Sequence, residues 1–371
     1  MSGRLQAALA AVTSACLLVT ATACVEARSR ATTDPRRAVT IAPSRPPLRV
    51  MPLGDSITDG LLTLGGYRSD LWQYMTADGM SVDFVGSRSN GPAQLGDRAE
   101  EGHPGWRIHQ LAVHVRAWLR TYRPDVVLLH IGTNDVIQRS ALPQAPARLA
   151  ALVDLITGTL PNAQVYVATI VPLADPVGDG LARRYNAAIP GIVAARVAHG
   201  RHVHLVDMHA ALTKTDLSAD GVHPSDGGYS KMAARWYTAL TGTPMTRWEA
   251  ETPAYATIGN GERLTTPRAS GNGKAGYLAA PGSYLEFALP LPSGGRYRIY
   301  VRAADGMSTP CDQSLSVNGR PQGRLVYLPY GWDQWTITAV DVSLNAGRNT
   351  VRFSRDTCSA EIDAIDLAPV R

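Results

Sequence analysis

Leu48-Arg49-Val50-Met51-Pro52-Leu53-Gly54-Asp55-Ser56-Ile57-Thr58-Asp59-Gly60 runs from an apolar strand into a serine set between two glycines. Such a sequence makes a tight strand-to-helix turn. It leaves the Ser56 hydroxyl at the sheet's edge, with its own N–H free to face an oxyanion. Taken alone, a serine after an aspartate also suits a helix cap. The same β-branched texture returns in Val82 to Val85, Asp125 to Ile131, Gln164 to Ile170 and Val203 to Val206. Between these runs lie amphipathic stretches of helical length near Tyr67 to Ala77, Ile108 to Thr121, Pro146 to Thr157, Leu181 to Ala198 and Gly227 to Leu240. Strand and helix in alternation predict a mainly parallel sheet covered on both faces, with the chemistry at the carboxyl ends of the strands.

After Thr241 the helical period disappears. Short alternating runs follow: Tyr284 to Leu289, Tyr297 to Arg302, Gln313 to Val317, Arg324 to Leu328, Thr336 to Val342, Thr350 to Ser354 and Ile362 to Leu367. Asn318-Gly319 and Asn345-Ala346-Gly347 stand between such runs as hairpin turns. These features predict a β-sandwich of roughly eight strands. The boundary falls near Gly242 to Thr246, so residues 48–243 and 244–371 read as two domains, each expected to fold without the other.

The net charge of +5 is placed unevenly. Residues 1–47 carry Arg4, Arg28, Arg30, Arg36, Arg37 and Arg45 against Glu26 and Asp34, so the folded remainder is almost neutral and a nucleic-acid partner is not indicated. Arg4, an apolar run from Ala7 to Thr20 and Ala21-Thr22-Ala23-Cys24 describe a signal peptide over residues 1–24. Three readings stay open there: cleavage after the small residues, a lipobox in which Cys24 is acylated and anchors the chain at the cell surface, or an uncleaved anchor. On each of them the expected location is extracellular. Residues 25–47, rich in Arg, Thr, Pro and Ala without apolar period, read as a disordered tether. With Cys16 and Cys24 in the export segment, Cys311 and Cys358 most simply form one disulfide in an oxidising compartment, two separate buried thiols being the alternative.

All nine histidines lie between His103 and His223, which confines acid–base equipment for neutral pH to the first domain. In Asp220-Gly221-Val222-His223-Pro224, His223 is placed to serve as base for Ser56 and Asp220 to orient its other ring nitrogen. Asn134 in Gly132-Thr133-Asn134-Asp135 offers an amide donor at the end of another strand, and Gly105 in Gly102-His103-Pro104-Gly105-Trp106 allows a backbone N–H to approach closely. Ser56, Gly105 and Asn134 are thus the expected oxyanion donors. His199, His202 and His204 gather near a strand start, but His202 and His204 alternate with valine, and no acidic or cysteine ligand stands beside them.

These blocks, in this order, resemble those of the SGNH/GDSL hydrolases. The stretches Gly66-Tyr67-Arg68-Ser69-Asp70-Leu71, Val82-Asp83-Phe84-Val85-Gly86-Ser87 and Gly102-His103-Pro104-Gly105-Trp106 are similar to the acetyl xylan esterases of carbohydrate esterase family 3. The resemblance implies a flavodoxin-like three-layer α/β/α domain that removes O-acetyl groups from polysaccharide such as acetylated xylan. It further implies Ser56, His223 and Asp220 as triad and no cofactor for catalysis.

In the second domain, Trp248-Glu249-Ala250-Glu251 sets two carboxylates on one strand face, and Glu361-Ile362-Asp363-Ala364-Ile365-Asp366 repeats the device. Oxygen-rich groups of this kind suit Ca²⁺; a solvent-facing alternation fits the spacing equally. With Gly282-Ser283-Tyr284-Leu285-Glu286-Phe287, Val317-Asn318-Gly319 and Leu344-Asn345-Ala346-Gly347, these segments resemble carbohydrate-binding modules of families 6 and 35. That resemblance implies a jelly roll with a structural calcium near Glu249, Glu251 and Asp363, and sugar contact through loop aromatics, here Tyr277, Tyr330 and Trp332, while Trp335 is expected in the core. Two other functions compete with a polysaccharide acetylesterase: a lipid or general short-chain carboxylesterase, and a non-catalytic carbohydrate-binding adhesin. No protein partner is indicated.

Overall fold

The computed structural model describes residues 46–356 and 358–370. The signal peptide, Cys24 and nearly all of the tether lie outside the described residues. Strands β1 (Leu48–Asp55), β2 (Val82–Phe84), β3 (Arg88–Ser89), β4 (Ala99–His103), β5 (Val126–His130), β6 (Gln164–Ala168) and β7 (Val203–Val206) form one sheet, ordered β3-β4-β1-β5-β6-β7, with β2 also pairing β1. All pairings are parallel except β3 with β4. β5, Val-Val-Leu-Leu-His, is buried at every residue, as a central parallel strand must be.

Helices α1 (Ser56–Asp59), α2 (Tyr67–Ala77), α3 (Ile108–Tyr122), α4 (Thr133–Ile137), α5 (Ala145–Thr159), α6 (Pro176–Asn186), α7 (Ile189–Ala198) and α8 (Asp226–Thr241) are distributed between two apolar layers. One layer takes Tyr67, Tyr74, Trp236 and Tyr237 from α2 and α8; the other takes Leu111, Leu119, Leu152 and Ile156 from α3 and α5. Two departures from the sequence expectation have clear causes. The single helix expected over 181–198 is two, because Pro190 has no N–H to give and its ring crowds the carbonyl of Asn186; α6 stops at Asn186 and Pro190 sits in the first turn of α7. β4 went unread because Ala-Glu-Glu-Gly-His has no apolar alternation.

The C-terminal part comprises β8 (Thr246–Glu249), β9 (Ala256–Gly259), β10 (Glu262–Thr265), β11 (Gly273–Gly276), β12 (Tyr284–Leu291), β13 (Gly295–Ala304), β14 (Cys311–Val317), β15 (Arg320–Tyr327), β16 (Thr336–Leu344), β17 (Gly347–Arg355) and β18 (Glu361–Pro369). They make two antiparallel sheets, β10-β11-β18-β13-β16 with β8 on β18, and β15-β14-β17-β12-β9, the arrangement of a jelly-roll sandwich. Leu285, Phe287, Leu315, Val351 and Phe353 of the second sheet meet Ile299, Val301, Ile362 and Ile365 of the first. Asn318 and Gly319 both take positive φ, as a tight β14–β15 hairpin requires. Cys311 and Cys358 are bonded, with Cα atoms 5.5 Å apart, closing a 47-residue loop worth about 4 kcal/mol in the chain-entropy model.

The strands β13 and β18 are buried on both faces. Their inner face fills the sandwich; their outer face lies on α2 and α8, so that Tyr300 and Ala368, with Ile337 of β16, share one core with Tyr74 and Tyr237. Arg302 joins Asp70 at 2.9 Å and also pairs with Asp363, Arg247 joins Asp366 at 2.7 Å, and Tyr74 donates to Asp366 at 2.6 Å.

Candidate active site

Ser56 opens α1 directly beyond β1. As the first residue of a helix its N–H has no acceptor within the helix, and Asp55 caps the turn by accepting from the N–H of Ile57 at 3.0 Å. Gly60 closes this one-turn helix with φ +86°, where an added Cβ would stand 2.4 Å from the Gly66 nitrogen. Arg68, wholly buried, donates to the carbonyls of Thr58 and Asp59 at 3.2 and 3.0 Å and to those of Asn90 and Arg98, tying α1 to the 88–98 segment.

His223 Nε2 lies 2.8 Å from Ser56 Oγ, and His223 Nδ1 lies 2.5 Å from Asp220 Oδ2. The second oxygen of Asp220 accepts from the N–H groups of Val222 and His223, each at 3.0 Å, so one short loop fixes both members. Partial burial acts to raise the Asp220 carboxyl, but the His223 ring and these two N–H groups outweigh it and hold the group below the usual carboxylate range. A carboxylate that stays ionised keeps the proton of imidazole on Nδ1 and leaves Nε2 to accept one from Ser56. His130 offers no rival base: burial pushes its ring down to about 4, which leaves it too weakly basic to take a serine proton near neutral pH.

Strand register brings the other two expected residues to the same edge of the sheet. Gly54 pairs with His130 on β5, and Asp55 pairs with His103 on β4, so the turns holding Asn134 and Gly105 leave the sheet beside Ser56. Asn134 Nδ2 donates to the Trp106 carbonyl at 3.0 Å, which links these two turns to each other. Gly105 has φ +80°, a conformation suited to glycine. Gly132, with φ +126°, packs so tightly on the Tyr185 ring that a Cβ would fall 2.6 Å from it, while the Tyr185 hydroxyl donates to the Ile131 carbonyl.

The sequence reading missed the braces of the site. His103 Nε2 lies 2.9 Å from Glu101 Oε1 and its ring stacks on Trp106 and Trp118, steadying the turn that carries Gly105. Asp135 accepts from the Ile108 N–H and from Arg148, fixing the start of α4. Asp55 is fully buried; burial pushes its carboxyl up to about 7, with the charge of Asp135 adding to the effect and the Ile57 N–H opposing it. His-Pro-Gly-Trp beside a carboxylate pair was the available signal for the first of these; Arg68 stood in the Gly66–Leu71 stretch with nothing to show its role, and Arg148 had no signal.

Of the remaining candidates, Tyr277, Tyr330 and Trp332 are all large exposed aromatics, Tyr330 and Trp332 on one loop and Tyr277 on another. Trp332 lies flat against Gly306, where any Cβ would fall 2.2 Å from its ring. Trp335 is buried, its Nε1–H donating to the Arg268 carbonyl at 2.7 Å. Glu249, Glu251 and Asp363 gather around the turn at Ser270–Asn272: Glu249 accepts from Ser270 Oγ, Asp363 from the Ser270 N–H, and Glu251 approaches Gly271. Among the described residues no three acidic, histidine or cysteine side chains are grouped as a ready-made metal site, and Asp363 is already engaged by Arg302. His199 bonds the Ala195 carbonyl and His204 bonds Gln164, each on its own.

Residues 53–231 match the model of the GDSL-like lipase/acylhydrolase family. A multidomain esterase of Ruminococcus flavefaciens is 29% identical over 256 residues, covering 62% of this chain and 31% of that protein, so this chain spans about a third of that relative's length. A solved family 3 carbohydrate esterase of Clostridium thermocellum is 39% identical over 53% of this chain and 96% of its own, with a TM-score of 0.48. A family 35 carbohydrate-binding module, also of Clostridium thermocellum, is 32% identical over 33% of this chain and 98% of its own, with a TM-score of 0.31. Through residues 53–231 the chain belongs to the GDSL-like lipase/acylhydrolase family of carboxylic ester hydrolases.

Proposed function

We propose that the protein is a secreted esterase that removes O-acetyl groups from a polysaccharide, acetylated xylan being the first substrate to test. The observation that carries the hydrolytic part is the continuous hydrogen-bonded chain Asp220–His223–Ser56. In the reaction, Ser56 Oγ attacks the acetyl carbonyl as His223 Nε2 takes its proton. The sugar oxygen leaves with that proton, and water, activated by the same imidazole, then releases acetate from Ser56. The N–H groups of Ser56 and Gly105 and the amide of Asn134 are the donors for the tetrahedral oxyanion. Nothing in this sequence of steps needs a metal.

The carbohydrate part rests on the 39% identity to a family 3 carbohydrate esterase and on the attached sandwich, which is similar to a carbohydrate-binding module. Tyr277, Tyr330 and Trp332 are its candidate sugar contacts. Calcium belongs to this reading as well. Glu251 Oε2 is buried without a partner; burial pushes the Glu251 carboxyl up to about 8, and the charges of Glu249 and Asp363 add to the effect. Hard oxygens left uncompensated in this way suit Ca²⁺, with Glu249 and Glu251 as ligands and Asp363 beside them. Export through residues 1–24 completes the reading; among the described residues no helix is long and apolar enough to cross a membrane.

The deciding experiment compares acetate release from acetylated xylan with cleavage of long-chain acyl esters. Preference for the long chains would overturn the carbohydrate reading and favour a lipid esterase. EDTA should lower the melting temperature and leave p-nitrophenyl acetate hydrolysis unchanged. Activity lost to EDTA and restored by Zn²⁺ would refute the metal-free mechanism.

A further inference from the structure

A cavity of about 360 Å³ opens between the two domains. This falls within the range of small-molecule sites, which favour domain junctions. Its walls come from both sides: Thr63, Ser69 and Asp226 from the α/β domain, Arg268, Gln334 and Trp335 from the sandwich. Ser56 and His223 do not line it, but the segments that follow each of them do. The 62–66 wall follows α1, the helix that Ser56 begins, and Asp226 begins α8 just beyond His223. Thr63 Oγ1 donates to Asp226 at 2.7 Å, closing the wall between these two segments.

The lining chemistry is that of a site for an uncharged, hydroxyl-rich ligand. Every charged group in the wall is already paired: Asp70 with Arg302 at 2.9 Å, Asp226 with Arg268 at 3.1 Å, Asp333 with Lys274 at 2.8 Å. No charge is left over for an anionic or cationic guest. Paired ions still present lone pairs and N–H groups, and the side-chain amides of Gln94 and Gln334 add both donors and acceptors. Leu62 and Leu64, 65% and 67% exposed at the rim, offer apolar surface for the C–H faces of a sugar ring.

We infer that this cavity is a glycan subsite built jointly by the two domains, holding a neutral sugar of the polymer whose neighbouring acetylated unit lies at Ser56. The inference rests on the carbohydrate-esterase reading and adds that the sandwich takes part in the active site itself. The test uses the full chain with Arg268→Ala, which removes a wall donor, and Gln334→Trp, which fills the space from the sandwich side. Neither residue belongs to the triad or the oxyanion donors. On acetylated xylotetraose each variant should lose about tenfold in kcat/KM, mainly through KM, the scale expected for one or two hydrogen bonds to the sugar. On p-nitrophenyl acetate each should stay within about twofold of wild type, because the small ester never reaches the cavity. Wild-type kinetics of both variants on the oligosaccharide, or equal losses on both substrates, would overturn the subsite. A wild-type enzyme that cleaves p-nitrophenyl acetate but not acetylated xylotetraose would instead bring down the carbohydrate reading on which it rests.

Discussion

In the proposed mechanism Ser56 and His223 act on one proton, so removing either removes the same step. Ser56→Ala and His223→Ala should each reduce p-nitrophenyl acetate turnover by at least about 10,000-fold, with the circular dichroism spectrum unchanged. Asn134→Ala should cost roughly 100- to 1,000-fold, as for loss of one oxyanion donor. Near-wild-type turnover in the serine variant would end the proposed mechanism. Asp55 makes a different prediction. Its carboxyl ionises about 7 in the folded chain against an ordinary 3.8, so the folded state holds a proton that the unfolded state has lost between those values. Its contribution to stability is therefore complete below the lower value and falls as pH rises through about 7. Melting curves across that window should show a smaller decline for Asp55→Asn than for wild type; identical pH profiles would refute the assignment. Ser56, Asn134 and Gly105 were legible because each lies in a short motif at a strand exit, and the Asp220–His223 pair because a spacing of three lets both side chains converge from one loop. Arg68 was not: an arginine in an amphipathic segment reads as solvent-facing, and only the tertiary fold shows four carbonyls converging on it.

At the level of elements, α8 carries the most consequence, because its N-terminus adjoins His223, the base of the proposed mechanism. Ser225 caps it, accepting from the Gly228 N–H at 3.2 Å while donating to the Asp216 carbonyl at 3.1 Å. Ser225→Ala should destabilise the protein by about 1 kcal/mol in urea denaturation. A change under a third of that would mean the cap is replaced by solvent. The apolar strands of the α/β sheet were readable from sequence because burial on both faces demands continuous Val, Ile and Leu. β4 was not, because its buried Glu100 and Glu101 are matched by partners distant in sequence: Arg88 at 3.3 Å, and Ser87 Oγ at 2.6 Å together with the nearby His103. β9, β10 and β11 escaped for another reason. Ala-Thr-Ile-Gly, Glu-Arg-Leu-Thr and Gly-Lys-Ala-Gly are too short and too poor in large apolar residues to announce a period.

For the whole molecule, the change of texture near residue 242 marks where one layer pattern ends, and it gives no hint that the two domains share a core. That joint depends on β13 and β18 being buried on both faces, and on Arg302, whose partners Asp70 and Asp363 lie far away in sequence. A chain ending at Thr243 would expose Tyr74 and Tyr237 and leave Asp70 without its arginine, a change of the kind that typically costs about 3–5 kcal/mol. It should melt below the full chain, which should unfold in a single calorimetric transition; two resolved transitions, or an unchanged melting temperature after truncation, would contradict this. The doubly buried pair of strands also bears on product pattern. A binding module on a flexible leash lets its enzyme cut anywhere within reach, giving scattered deacetylation. Here β13 and β18 fix the sandwich on α2 and α8, so under the proposed function a polymer held on it would meet Ser56 at one set distance and would lose its esters at regular intervals along the backbone.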